Sequence, residues 1–157
     1  MDYKMRRKDR ELTAEEAIRI LAGQSHGILS CVDQDEQPYG VPLSYYYQDH
    51  KIYFHCANEG HKLDSIRNNN RVAFTVVSKD EPVIDERKDY TTKYASAIAF
   101  GQASIVTDDA ERALRIKQLT SKYFDDLSIF ETNMNDFFAQ TTVVALTIDK
   151  ISGKANK

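Results

Sequence analysis

The chain has 157 residues, 41 % of them apolar, enough for one domain with its own core. Its 21 Lys and Arg against 24 Asp and Glu leave a net charge of −3, so no basic excess points to nucleic acid as a partner. The longest apolar runs have strand length, which predicts no membrane span, and the charged start MDYKMRRKDREL lacks a signal peptide's apolar segment, which predicts a cytoplasmic protein.

Helical and strand periods alternate along the chain. Thr13 and Glu16 form a T-x-x-E capping box, Gly23 offers a stop, and Ala14, Ala17, Ile18 and Leu21 make an apolar stripe, which predicts a first helix over 14–22. Three strands follow, GILSCVD at 27–33, YGVPLSYYYQ at 39–48 and KIYFHC at 51–56. Asp49-His50 suits a tight hairpin, and the short turns predict an antiparallel meander. Residues 58–69 return to helical spacing with Leu63 and Ile66, and RVAFTVVS at 71–78 reads as a fourth strand.

The charged stretch KDEPVIDERKDYTT at 79–92 reads as a loop. A long strand or strand pair is expected over 93–106, with Gly101 marking a bulge or bend. Asp108 and Glu111 open a further helix whose stripe is Ala113, Ile116, Leu119 and Tyr123. A short helix around 135–139 and a last strand TVVALTID at 142–149 complete the chain. There is no internal repeat and no low-complexity linker. The whole is expected to be a single domain, mainly β with flanking helices, built as a six-stranded antiparallel barrel that leaves few sheet edges.

Four features bear on chemistry. Cys31 and Cys56 form no C-x-x-C pair and have no His at metal-ligand spacing, so they read as free thiols in apolar stretches and no metal site is expected. In IYFHCANEGHKLDSI, a strand leads through Gly60 into a helix that opens with His61 and Lys62. The free amides and positive end of a helix start, a glycine that admits close approach, and a cation together make a phosphate cradle. The bland alternative is a solvated Lys beside a capping His.

Pro42 cannot donate to a strand ladder, so it marks an edge or a bulge, with neighbouring backbone groups left free for a ligand. His55, near a strand end, is either a structural hydrogen bonder or a donor to developing charge, the catalytic candidate. Within the run Tyr45-Tyr46-Tyr47, alternation turns one or two rings to the core. Nucleophile-elbow, zinc-protease, P-loop and dinucleotide fingerprints are all missing.

The segments MRRKDREL at 5–12, GILSCVDQDEQPYGVPLSYYY at 27–47, IYFHCANEGHKLDSIRNNNRVAFTVV at 52–77, YASAIAFGQASIV at 94–106 and TIDKISGK at 147–154 run in the order seen in one family. The chain resembles the pyridoxamine 5′-phosphate oxidase-like FMN-binding split barrels, and within them the 5-nitroimidazole antibiotic resistance (Nim-type) proteins. The resemblance implies a homodimer with FMN at the subunit interface. By matching motif, Val41, Pro42, Leu43 and Ser44 would line the isoalloxazine. His55, Cys56 and Ala57 would border the ring and the ribityl chain, and His61 and Lys62 would hold the phosphate. Tyr94 and Ser96 fall in a segment near the interface.

The chain has no Trp and ends ISGKANK, so it lacks the Trp-Arg-Leu element of true pyridoxamine phosphate oxidases, and oxidation of that substrate is not expected. The function implied is an FMN-dependent oxidoreductase. It would pass electrons from a reduced nicotinamide or another donor to a small, nitro-aromatic acceptor. The chain has no Rossmann fingerprint, so a nicotinamide would visit transiently. The alternative is a non-catalytic flavin binder, a store or a sensor.

Overall fold

A computed structural model describes residues 4–128 and 136–156 of the chain. A single 3-10 turn at Lys8–Arg10 leads into β1 (Glu11–Leu12) and α1 (Ala14–Gly23). Then come β2 (His26–Val32), β3 (Pro38–Ser44), β4 (Tyr46–Gln48), β5 (Lys51–Ala57) and α2 (His61–Asn68). The long strands β6 (Arg71–Ile84) and β7 (Tyr90–Ile105), the helix α3 (Asp109–Tyr123) and β8 (Thr141–Asn156) follow. Every strand pairing is antiparallel, in the order β3-β2-β6-β7-β8-β5-β4, with β1 added on β8. The sheet curls around a core of Leu29, Ile52, Phe54, Phe74, Val76, Val144 and Leu146, and α1 caps it with Ala17 and Leu21. This is the mainly β, barrel-like fold the alternating periods predict, and its sheet is open between β3 and β4.

The helix starts form where the capping chemistry puts them. Thr13 accepts from the Glu16 amide at 3.2 Å while the Glu16 carboxylate accepts from the Thr13 amide at 2.9 Å. Asp108 accepts from the Glu111 amide at 2.7 Å, and α3 buries Leu119 and also Ile116, which joins a second small cluster with Tyr53 and Val143. The Asp49-His50 hairpin has φ of 49° and 60° at its two central residues, as a tight β-turn of left-handed conformation requires. The bulge expected at Gly101 is present, with the β7–β8 register slipping between Phe100 and Gly101. A Cβ at Gly101 would collide with the Thr147 carbonyl oxygen.

Four expectations need correction. The sheet has eight strands rather than six, because the run 39–48 breaks at Tyr45 into β3 and β4, and because the two-residue β1 pairs with β8. The three early strands form no meander: β3 pairs with β2, β4 pairs with β5, and β3 and β4 end opposite sides of the sheet. The charged stretch 79–92 is mostly strand, since the β6–β7 ladder continues to Ile84↔Tyr90 and leaves only 85–89 as a turn. Both faces of that ribbon meet solvent, so charge there carries no loop signal. The last strand runs on to Asn156, because β7 offers it a partner from Ile105↔Val144 down to Tyr94↔Asn156. The expected short helix is helical over 136–139, and Asn135 lies outside the described residues.

The break at Tyr45 has an identifiable cause. The Tyr45 ring is fully buried against Phe74, with centroids 4.8 Å apart, and its hydroxyl donates to the Leu21 carbonyl at the end of α1. Its amide donates to the Tyr123 hydroxyl at 3.0 Å, and its carbonyl accepts from Lys122 Nζ at 2.9 Å. Lys122 also donates to the Gln24 carbonyl at 2.6 Å and lies 4.0 Å from the Tyr45 ring centroid. The backbone polar groups of Tyr45, which a continuous strand would give to a neighbour, are thus taken by side chains at the end of α3. Replacing Tyr123 by Phe removes the acceptor of a buried amide and should cost about 1–3 kcal/mol in urea unfolding. A loss below about 0.5 kcal/mol, the size of an ordinary surface change, would show that Tyr123 does not hold the corner.

Candidate functional site

The break creates two unpaired sheet edges that diverge from one corner. β3 pairs with β2 alone, so every second backbone group along Pro38–Ser44 faces outward. β5 pairs with β8 over Lys51–Ala57 but with β4 only over Lys51–Tyr53, so Phe54–Ala57 has a second open edge. The N-terminal end of α2 bridges the wide end of this wedge. The His61 ring lies 4.3 Å from the ring of Tyr39 near the start of β3, and His61 Nε2 stands 3.3 Å from Asp33 Oδ2 in the β2–β3 turn.

Gly60 caps α2 with φ of 133°, a conformation that side-chain-bearing residues rarely adopt, and no atom lies within 4 Å of where its Cβ would be. No side chain caps this helix. The Leu63 and Asp64 amides turn back to the Gly60 carbonyl at 2.9 and 3.2 Å. The amides of His61 and Lys62 are therefore the free donors of the first turn among the described residues. Lys62 is half-buried and has no carboxylate partner among the described residues. Two nearby acids are engaged elsewhere. Asp64 pairs with Arg67 at 3.0 Å, and Asp33 accepts from the Asp35 and Gln37 amides, each at 2.9 Å, and meets His61. Those backbone bonds lead the causes that hold the Asp33 carboxyl below its usual range.

The other expected residues take distinct places around the wedge. Val41 and Leu43 turn their side chains onto the core, so they offer a ligand only backbone, whereas Pro42 and Ser44 face solvent. Cys56 points into the core, and burial pushes its thiol up, opposed by the charges of Lys62 and Arg67. Ala57 is exposed at the strand end. His55 emerges on the face opposite Cys56, with its ring edge-on to Phe137 at 5.6 Å between centroids. Burial first, and the Lys62 charge second, lower the His55 pKa. The lowered pKa favours the uncharged imidazole, which donates a single proton.

Tyr94 and Ser96 are not brought to this wedge within one protomer. They pair with Asp80 and Val77 on β6. Arg71, the first residue of β6, lies beside the end of α2. The strand from Arg71 to Val77 covers about 20 Å. Asp33, Tyr39 and Phe137 join the site without having been singled out from the sequence. Asp33 was legible in principle, since Asp at the head of the polar turn DQDEQ can bond its own following amides. Tyr39 and Phe137 become neighbours only through tertiary packing. No group of three or more His, Cys, Asp or Glu among the described residues could hold a metal.

An antiparallel barrel opened between two free strand edges, with a basic helix start across the gap, defines the split-barrel class. The chain belongs to the pyridoxamine 5′-phosphate oxidase family, whose model matches residues 13–155. Among solved structures it is similar to a candidate 5-nitroimidazole antibiotic resistance protein from Bacteroides thetaiotaomicron. That match has a TM-score of 0.80 and 20 % identity, covering 92 % of this chain and 85 % of the other. It is also similar to an FAD-binding protein from Mesorhizobium loti, with a TM-score of 0.69 and 23 % identity over 94 % and 98 % of the two chains. An FAD and heme binding protein from Mycobacterium smegmatis matches with a TM-score of 0.77 and 20 % identity over 94 % and 74 %. No curated protein matches.

The environment of His55 has a measurable consequence. A histidine whose folded pKa lies below its unfolded value favours the folded state when neutral, so its contribution is lost as pH falls through about 6.5. The His55 pKa by NMR should lie below that value, and Lys62→Gln should raise it only in part, because burial is the larger cause. His55→Gln should flatten the loss of stability between about pH 7 and 5. A His55 pKa at or above 6.5 in the folded protein would contradict the environment described here.

Proposed function

We propose that this protein is an FMN-binding oxidoreductase that works as a homodimer and reduces a small, nitro-aromatic acceptor. The observation that carries the reading is Lys62, a half-buried cation without a carboxylate partner among the described residues, set at an uncapped helix start. Such a position is matched by a phosphate. Lys62 and the amides of His61 and Lys62 would hold it, with the imidazole of His61 steadied between Asp33 and Tyr39. A flavin's pyrimidine edge carries several donors and acceptors, and the open backbone edges of β3 and β5 supply their complements on the walls of the same wedge. Pro42 and Ser44 would meet the ring by side chain, and Val41, Leu43, Cys56 and Ala57 by backbone. The flavin-binding neighbours and the family membership support this reading.

Bound FMN would supply electron transfer, and the chain's own groups position it and shape access to it. Lys62 anchors, the two edges orient, and His55 donates one hydrogen bond to a ring or an acceptor at the end of β5. A nicotinamide donor binds transiently, since the chain has no Rossmann fingerprint of its own. Tyr94 and Ser96 lie too far from their own cradle to touch the same flavin, so in this reading they serve the flavin of the partner subunit. A dimer also gives cover to the open wedge.

Lys62→Ala should weaken FMN binding, measured by fluorescence quenching, by roughly one to two decades, the worth of one charge-assisted contact. His61→Ala should cost less, and unchanged affinity in the double variant would place the phosphate elsewhere. Consumption of NAD(P)H by the yellow protein, followed with and without a nitroimidazole, separates the oxidoreductase from a flavin store or sensor, which would show none. His55→Gln should retain flavin while losing turnover by about tenfold or more. Sedimentation at micromolar concentration should give a dimer, and a monomer with FMN bound would overturn the shared site.

A further inference from the structure

The large hydrophobic side chains that the protomer leaves exposed are not scattered. Of the eight among the described residues, Ile28, Val77, Ile84, Tyr90 and Phe100 lie on one face of the sheet. Residues directly opposite in an antiparallel ladder share a face, and alternate residues along a strand return to it. The outward positions of β6 and β7 are therefore the pairs Ala73–Phe100, Thr75–Ile98, Val77–Ser96, Asp80–Tyr94, Pro82–Thr92 and Ile84–Tyr90. Ile28 of β2 stands opposite Thr75 on the same face. Asp80 is the one charged residue among these twelve, in a chain of which 29 % is charged. The core lies on the other face, with Phe74, Val76, Ala97 and Ala99.

Continuity of this strip depends on one residue. The β6–β7 register shifts between Val77 and Lys79, so Ser78 is an extra residue on β6, and its hydroxyl donates to the Ala95 carbonyl at 3.2 Å. A one-residue bulge exchanges the faces of everything beyond it. Without it Lys79, Glu81 and Val83 would continue the strip. With it they turn to the other side, where Lys79 meets Glu81 at 3.0 Å and Lys93 stands across from Glu81. Pro82 and Ile84 take their places, opposite Thr92 and Tyr90. Beyond Tyr94 neither strand has a third strand beside it among the described residues, so 81–93 is a two-stranded arm with its turn at 85–89. Such a ribbon is marginal in water by itself. This one carries Ile84, 65 % exposed, and Tyr90, 91 % exposed, at its tip.

We propose that a second copy of the chain docks on this strip, and that the arm clasps the partner with Ile84 and Tyr90. This use of the strip rests on the homodimer reading above. Tyr94 and Ser96 lie in the middle of it, so the contact that covers the strip also carries them onto the partner subunit. An apolar, nearly uncharged face meets its own copy across a two-fold axis without like-charge repulsion. From Ala73 to Ile84 it runs about 35 Å. With Ile28 beside it, the strip offers an area of the order of the roughly 800 Å² that each partner of a stable dimer buries.

Ile84 and Tyr90 are exposed in the protomer, so charging them leaves its core intact. In sedimentation equilibrium on the full chain, Ile84→Asp/Tyr90→Asp should raise the dimer dissociation constant about tenfold or more, with the far-ultraviolet circular dichroism unchanged. Leu114→Asp/Phe124→Asp charges two exposed hydrophobics on and beside α3, and should leave the dimer as it is. A second measurement needs no variant. Diluting the wild type until the dimer dissociates should speed hydrogen exchange over 79–93 and leave α3 unchanged. A dimer as tight in the Ile84/Tyr90 variant as in the wild type, or exchange that rises in α3 and not in the arm, overturns the proposal while the homodimer reading stands. A wild type that is monomeric at micromolar concentration overturns both.

Discussion

The grip of α3 on Tyr45 is the constraint on which the rest of the molecule depends. A strand continuing through this point would have joined β3 to β5 and closed the sheet. Instead the amide and carbonyl of Tyr45 are taken by Tyr123 and Lys122, and the ring is fixed between Phe74 and the end of α1. The ladder therefore ends on one side at β3 and resumes on the other at β4. The open edges of a sheet are ordinarily a liability. Here they form the walls of the cleft, and the helix start that spans them carries Lys62 and the free amides of its first turn at the mouth.

Charge follows the same economy of position. Several carboxylates are matched, by a neighbouring cation or by backbone amides. Arg67 takes Asp64, Lys8 takes Glu11, Lys79 takes Glu81, and the β2–β3 turn takes Asp33. On an exposed surface such pairs contribute little to stability. With Asp64 and Asp33 engaged in this way, Lys62 is left without a carboxylate partner among the described residues. A half-buried cation in that condition is poised to receive an anion from outside. The His55 imidazole stands beside it with its pKa lowered, first by burial and then by the Lys62 charge.

The residues of the site were legible to different depths. Gly60, His61 and Lys62 could be read from the chain because a helix start is a local object, and its amides, glycine and cation lie within three consecutive residues. His55 opposite Cys56 followed from strand alternation, and the structure keeps that order. Val41–Ser44 read as an interrupted strand edge around Pro42, but only the ladder shows that Val41 and Leu43 spend their side chains on the core and leave backbone at the open edge. Tyr39 and Phe137 were hidden, since their partners are far away in sequence.

The sequence by itself determined the helix starts, the hairpin at Asp49-His50, the bulge at Gly101, the mainly β class and the family. Each of these rests on capping, turn chemistry, period or motif, which act over a few residues. Tertiary structure alone decided where the sheet opens, how far the charged ribbon and the last strand extend, and which strands bound the cleft. A strand's length and neighbours depend on whether another strand lies alongside to take its backbone groups. The segments 79–84 and 150–156 carry no pattern of their own that states it, and β7 supplies the partner for both.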